Sequence, residues 1–122
     1  MILNHLDLQV SDVQATVRTF ETFFGLTLQT SRISPALAIM SDEAGFTLVL
    51  QRNAAPRYPE GFHVGFLVDD VAAVERTHAR LTEQGAVVTP IQRNNRGTMI
   101  YCQLQDGIVV EVSCRISGAS RM

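Results

Sequence analysis

Lysine is missing from this chain: all ten basic residues are arginines. That excludes Schiff-base and lysine-nucleophile chemistry. Charge of either sign is sparse, 18% of residues, and nearly balanced at a formal net −2. Such a surface offers no basic stripe for a phosphate backbone, so nucleic acid is not an expected partner. There are two cysteines, Cys102 and Cys114, without C-x-x-C spacing. They predict two buried, reduced thiols in a cytoplasmic protein rather than a zinc or redox motif. No apolar run approaches the ~20 residues of a membrane span, so no membrane association is expected. The start, "MILNHLDL", has neither a basic n-region nor a long apolar h-region.

What is present is an ordinary globular mix, 46% hydrophobic over 122 residues. That length suits one domain burying roughly two-thirds of its unfolded surface. The chain also repeats itself. Set against residues 58 positions later, "HLDLQVSDVQATVRTF" (5–20) faces "HVGFLVDDVAAVERTH" (63–78), and seven of sixteen positions are identical, His5/His63 and Asp12/Asp70 among them. Chance would give about one. Further on, Gly25 faces Gly85 and "GFTLVL" (45–50) faces "GIVVEV" (107–112). Two long copies indicate a duplicated module, not a solenoid.

Each copy reads β-α-β-β-β, an α+β pattern. The first predicts strands over 2–10, 26–31, 36–40 and 46–51, with a helix over 12–24. Ser11 or Asp12 caps that helix, and Ser11 with Gln14 fits a capping box. Val13, Val17, Phe20 and Phe24 form its apolar stripe, and Gly25 stops it. The second copy predicts strands over 62–68, 86–91, 98–104 and 108–114, with a helix over 70–84. The segment "NAAPRYPE" (53–60), with two prolines, separates the copies. The tail "SGASRM" is expected to fray.

Strand parity then sorts the faces. His5, Asp7 and Gln9 oppose the apolar Leu6, Leu8 and Val10. His63, Gly65 and Leu67 oppose Phe62, Val64, Phe66 and Val68. Tyr101 and Gln103 oppose Ile100, Cys102 and Leu104, while Glu111 opposes Val110 and Val112. If the all-apolar faces pack under the helices, His5, His63, Tyr101 and Glu111 can share the helix-free side. A glutamate midway along an apolar strand is costly unless paired. Two neutral imidazoles and a carboxylate suit Mn(II), Ni(II), Zn(II) or Fe(II) with open positions. The alternatives are a pair of metal-free histidines, and an arginine partner for Glu111.

These duplicated modules, a histidine in each first strand, and "QDGIVVEV" in the last resemble the vicinal oxygen chelate superfamily. It includes glyoxalase I, fosfomycin-resistance proteins, extradiol dioxygenases and bleomycin-resistance proteins. The resemblance spans residues 1–114. It implies a single domain, 1–122, of module 1–52 and module 61–114 joined by linker 53–60, forming a cup-shaped mixed sheet. It further implies a homodimer with a divalent metal in the cup, held by His5, His63 and Glu111. The four-ligand glyoxalase pattern needs an acid where this sequence has Val49, with Gln51 two residues on. Tyr101, ten residues before Glu111, falls where relatives carry a tyrosine near the substrate, so Tyr101 and Glu111 are the expected catalytic pair. Asp7, Gln9, Val49 and Gln51 would line the substrate pocket, with Gln103, Arg93 and Arg96 from the second module. Arg93, Arg96 and Arg115 are imperfect substitutes for the lysine-containing phosphonate set of fosfomycin-resistance proteins. The implied activity is metal-dependent isomerase, lyase or thiol-transferase chemistry on a small substrate with vicinal oxygens. Its rivals are a metal-free antibiotic binder of the bleomycin-resistance type and an extradiol dioxygenase, for which His78 is the one further histidine.

Overall fold

A computed structural model describes residues 1–29 and 34–115. The chain divides into two compact units, residues 1–57 and 58–122. The first carries β1 (His5–Val10), α1 (Val13–Phe24), β2 (Thr27–Leu28), β3 (Leu37–Ser41) and β4 (Thr47–Arg52). Its sheet runs β1-β4-β3-β2, with β1 parallel to β4 and the other pairs antiparallel. The second carries β5 (His63–Leu67), α2 (Val71–Glu83), β6 (Val87–Val88), β7 (Gln92–Asn94), β8 (Gly97–Gln103), a short 3-10 turn (Gln105–Gly107) and β9 (Val109–Arg115). Its sheet runs β5-β9-β8-β6, and β7 pairs with β8 as well. Both units are therefore α+β modules of the expected order, with β7 as an addition.

The helices begin and end for local reasons. Asp12 and Asp70 are the N-caps, their carboxylates accepting from Ala15 N (3.0 Å) and Ala73 N (2.8 Å). Of the two expected candidates for the first cap, Asp12 is therefore the one used, satisfying a backbone donor that the helix itself leaves unpaired. Gly25, at φ 72, closes α1 in the left-handed conformation. Val13, Val17 and Phe20 are almost wholly buried, while Phe24 is only half-buried. Each fully buried side chain of this kind contributes about 1.5–3 kcal/mol. In the first unit α1 packs on β2, β3 and β4; in the second α2 packs on β6, β8 and β9. The covered faces supply the core, Leu8, Val10, Met40 and Leu50 in one unit, Ile100, Cys102, Val110 and Val112 in the other.

Several boundaries differ from expectation. The first strand starts at His5, not at residue 2, because pairing with β4 begins there. Ile2 and Leu3 are 86% and 84% exposed. The strands expected over 26–31 and 86–91 shrink to two-residue bridges. Residues 30–31 of the former, and the tail from 117, lie outside the described residues. Among the described residues no helix is long and apolar enough to cross a membrane.

Candidate functional site

The second unit gathers the richest chemistry on the helix-free face of its sheet. Glu111 stands on β9, the strand between β5 and β8, with Gly65 opposite on one side and Tyr101 on the other. His63 begins β5, two register rows away and so on the same face. Strand parity thus brings His63, Tyr101 and Glu111 together, as the sequence predicts.

His63 is held by the turn that precedes it. Phe62 N donates to Pro59 O (3.1 Å), and Gly61 lies at φ 87. That fits a type II turn, which needs a left-handed residue at its third position. The Gly61 carbonyl lies 2.9 Å from His63 Nδ1. A carbonyl only accepts, so Nδ1 carries the proton and neutral His63 presents a lone pair at Nε2. That atom faces Glu111 Oε1 at 3.9 Å. The gap is too long for a hydrogen bond. A cation about 2.0–2.2 Å from each ligand could touch both atoms. The histidine and glutamate side chains are 46% and 19% exposed, so solutes can reach them. Donor type, tautomer and access therefore fit a divalent metal. Among the described residues, however, no three His, Cys, Asp or Glu side chains form a complete metal-holding group.

Tyr101 completes the cluster. Its ring meets His63 edge-on, with centroids 6.0 Å apart at 84°. Its hydroxyl hydrogen-bonds Glu111, and this bond, with burial and the carboxylate's charge, raises the phenol above its ordinary 10.0; Arg96 beside it pulls the other way. Tyr101 is therefore a protonated donor at neutral pH. Gly65 leaves room beside the carboxylate: a Cβ there would meet Glu111 Oε2 at 3.8 Å.

A cavity of about 490 Å³ opens at this point, lined by Gly65, Phe66, Leu67, Asn95, Arg96, Met99, Glu111, Ser113 and Arg115. Arg96 is thus a cavity residue. Arg93 instead lies 3.9 Å from Glu75 of α2. Gln103 shares the face of Tyr101 and is exposed. Gly65 and Ser113 were not among the expected pocket residues, and Arg115 was expected only as a substitute in the phosphonate set; parity signals all three, since Gly65 is the register partner of Glu111, and Glu111, Ser113 and Arg115 alternate along β9. His78 is half-buried on α2, which packs on the other face of the sheet. Cys102 and Cys114 are buried free thiols, and burial pushes Cys102 up, away from the reactive thiolate.

In the first unit, His5, Asp7 and Gln9 occupy the exposed positions of β1. Asp7 pairs with Val49, and Gln9 with Gln51. Gln51 Nε2 donates to Asp7 Oδ2 across the strands (2.6 Å). His5 Nδ1 lies 2.7 Å from Asn4 Oδ1, so this imidazole too is partnered at Nδ1.

A model of the Glyoxalase/Bleomycin resistance protein/Dioxygenase superfamily matches residues 2–112. The chain belongs to that superfamily. It is similar to the structure of a possible glyoxalase from Bacillus cereus, with 36% identity, TM-score 0.85, and coverage of 93% of this chain and 99% of that one. It resembles the fosfomycin resistance protein FosX from Listeria monocytogenes at 18% identity and TM-score 0.80, covering 95% and 94%. Lactoylglutathione lyase from Agrobacterium tumefaciens aligns at 20% identity and TM-score 0.75, covering 93% and 92%. The last two likenesses concern the fold alone. No curated protein sequence matches.

Proposed function

We propose that this protein is a divalent-metal-dependent enzyme acting on a small substrate with vicinal oxygens, by isomerase, lyase or thiol-transferase chemistry. The observation that carries this reading is the tautomer-locked His63, its Nε2 facing Glu111 across 3.9 Å. A backbone carbonyl behind a histidine is the usual outer support of a metal-binding imidazole. His63 and Glu111 would hold the ion, and His5, the other histidine of the expected ligand set, is also partnered at Nδ1. Mn(II), Ni(II), Zn(II) and Fe(II) all suit two imidazoles and a carboxylate. The bound ion would supply Lewis-acid polarisation of the substrate oxygens. Tyr101 would donate its proton or a hydrogen bond to a substrate oxygen near Glu111. Gly65 leaves the space for that oxygen. We further propose a homodimer as the working form.

The test is elemental analysis of protein purified without chelator, with thermal melts after each of the four metals. Stoichiometric metal, a rise in melting temperature, and loss of both in His63→Ala support the reading. No bound metal and no shift with any of the four would sink it.

A second reading has its own support. The described residues contain no complete three-residue metal group, which favours a metal-free binder using the same cavity. Ligand binding unaffected by metal removal is its distinguishing result.

A further inference from the structure

We propose that Tyr58 is a positioning residue for His63. Stacked on Phe62, it clamps the turn whose Gly61 carbonyl fixes the imidazole tautomer, and so keeps the Nε2 lone pair available to a cation beside Glu111. The consequence for a cation rests on reading His63 and Glu111 as metal ligands; the fixed tautomer does not.

Residues 58–63 read "YPEGFH". The turn over residues 59–62 is closed by Phe62 N donating to Pro59 O, and it needs the left-handed Gly61 at its third position. Tyr58 precedes that turn and Phe62 ends it. Their rings stack with centroids 4.7 Å apart at 27°, a separation at which aromatic pairs attract beyond their buried area. Opening the turn therefore has to part the two rings. Side chains alternate sides along a strand, and the exposed–half-buried pattern of residues 62–67 follows that rule, so Phe62 points away from His63. Neither Phe62 nor Tyr58 is among the residues lining the cavity. Tyr58 thus acts on the site through the backbone of the turn.

Backbone control matters because the His63 side chain is 46% exposed, and packing alone leaves its ring room to turn. The ring meets Gly61 O at Nδ1 (2.9 Å) and the edge-on Tyr101 ring, centroid to centroid 6.0 Å. An aromatic neighbour does not tell the two ring nitrogens apart. A carbonyl does, because it only accepts, and its bond decides which nitrogen carries the proton. Were the turn to open, that acceptor would move away and the proton could pass to Nε2, the atom a cation needs bare. The counterpart in the repeat, His5, is supported differently: the Asn4 side chain lies 2.7 Å from its Nδ1. A side-chain amide can rotate to offer oxygen or NH₂, so it accommodates either tautomer. Of these two imidazoles, His63 is the one set against a backbone acceptor.

The experiment is long-range proton–nitrogen NMR of the imidazoles in the metal-stripped full chain, at a pH where the rings are neutral. The parent should show His63 with its proton on Nδ1. Tyr58→Ala should move the His63 tautomer ratio toward the Nε2-protonated form by roughly 2- to 10-fold, the weight of one ordinary hydrogen bond. Tyr58→Phe keeps the ring and should match the parent. Gly61→Ala strains the turn with nothing within 4 Å of the new Cβ, and should move His63 as Tyr58→Ala does. His5 should hold its parent ratio in every variant, which a general loosening of the protein would not allow. A His63 ratio unmoved in both Tyr58→Ala and Gly61→Ala, or a shift in Tyr58→Ala shared equally by His5, overturns the proposal. Mn(II) binding, followed separately by electron paramagnetic resonance, should weaken in Tyr58→Ala by a similar factor. A tautomer response in a protein that binds no Mn(II) removes the metal reading alone, and Mn(II) binding without a tautomer response removes this proposal alone.

Discussion

Gly97→Ala tests the close approach of β8 to β9. Two costs add at this position. The backbone lies at φ 141, where an alanine is strained by about 1–3 kcal/mol. The new Cβ would also fall 2.0 Å from Cys114 O and 3.0 Å from Cys114 C. Both neighbours are backbone, so no side chain can swing aside, and β8 must back off β9 by about 1 Å. Overpacking of this kind costs typically about 1–3 kcal/mol. The sum is about 2–6 kcal/mol, a fall in melting temperature on the order of 10 °C or more. Gly107→Ala is the control in the same module. Gly107 has φ 78, but nothing lies within 4 Å of its Cβ position. It carries the strain without the clash and should lose only about 1–3 kcal/mol. The assay is paired urea and thermal unfolding of both variants. If Gly97→Ala costs within about 0.5 kcal/mol of Gly107→Ala, the close approach is not what fixes glycine there.

Three further outcomes follow from the same structure. In a Tyr58→Phe background Tyr101 is the sole tyrosine, so ultraviolet titration should find its midpoint above 10.0. Glu111→Gln should lower that midpoint, since the carboxylate's hydrogen bond is the leading cause of the rise. The sign for stability follows: the bond's contribution is full below the unfolded phenol value and is lost as pH climbs through the raised one. A midpoint unmoved by Glu111→Gln would contradict the hydrogen bond. Asp70→Ala should cost about 1 kcal/mol by removing the α2 cap, with Asp70→Asn recovering most of it; equal losses would mean the carboxylate's charge, not its acceptor, matters. Gly65→Leu should keep the fold but crowd the carboxylate of Glu111, so a smaller melting-temperature rise on adding Mn(II) than in the parent is expected.

Much of this was legible because β-strands alternate. The exposed–buried pattern of β1 and β5 puts His5 and His63 on the uncovered faces, and β9 does the same for Glu111. What parity cannot read is where short, polar segments turn. β7 is three exposed residues, Gln92–Asn94, with no apolar period to announce a strand. The bend after it, set by the Asn94 side chain on Arg96 N, separates two arginines that look equivalent in "QRNNRGT". Arg93 goes to Glu75 and Arg96 to the cavity. Ile2 and Leu3 mislead in the opposite sense: they continue the apolar run of β1, but β4 offers no partner to them.

The duplicated modules differ in which strand carries the acid of one register row. In the second, the first-strand position opposite the central strand is Gly65, and the central strand carries Glu111. In the first, the equivalent pair is Asp7 opposite Val49. Each module has one acid in this pair, but on different strands. On the central strand, Glu111 has neighbours on both sides, an empty glycine position and a phenol donor, so its carboxylate is half-buried and bonded while open space remains beside it. On the edge strand, Asp7 is exposed and its Oδ2 is taken by Gln51. A carboxylate engaged by a neutral amide at the surface gains little from burial or from a charged ligand. Glu111 faces the reverse balance: its partial desolvation makes a cation beside His63 more favourable than in open water. The first module thus carries its acid on the edge strand, at Asp7, opposite Val49 on the central one. Exchanging the pair, Asp7→Gly with Val49→Glu, should give the first module a central-strand carboxylate like that of Glu111. If that exchange leaves Mn(II) affinity where it was, the position of the acid in the sheet is not what distinguishes the two modules.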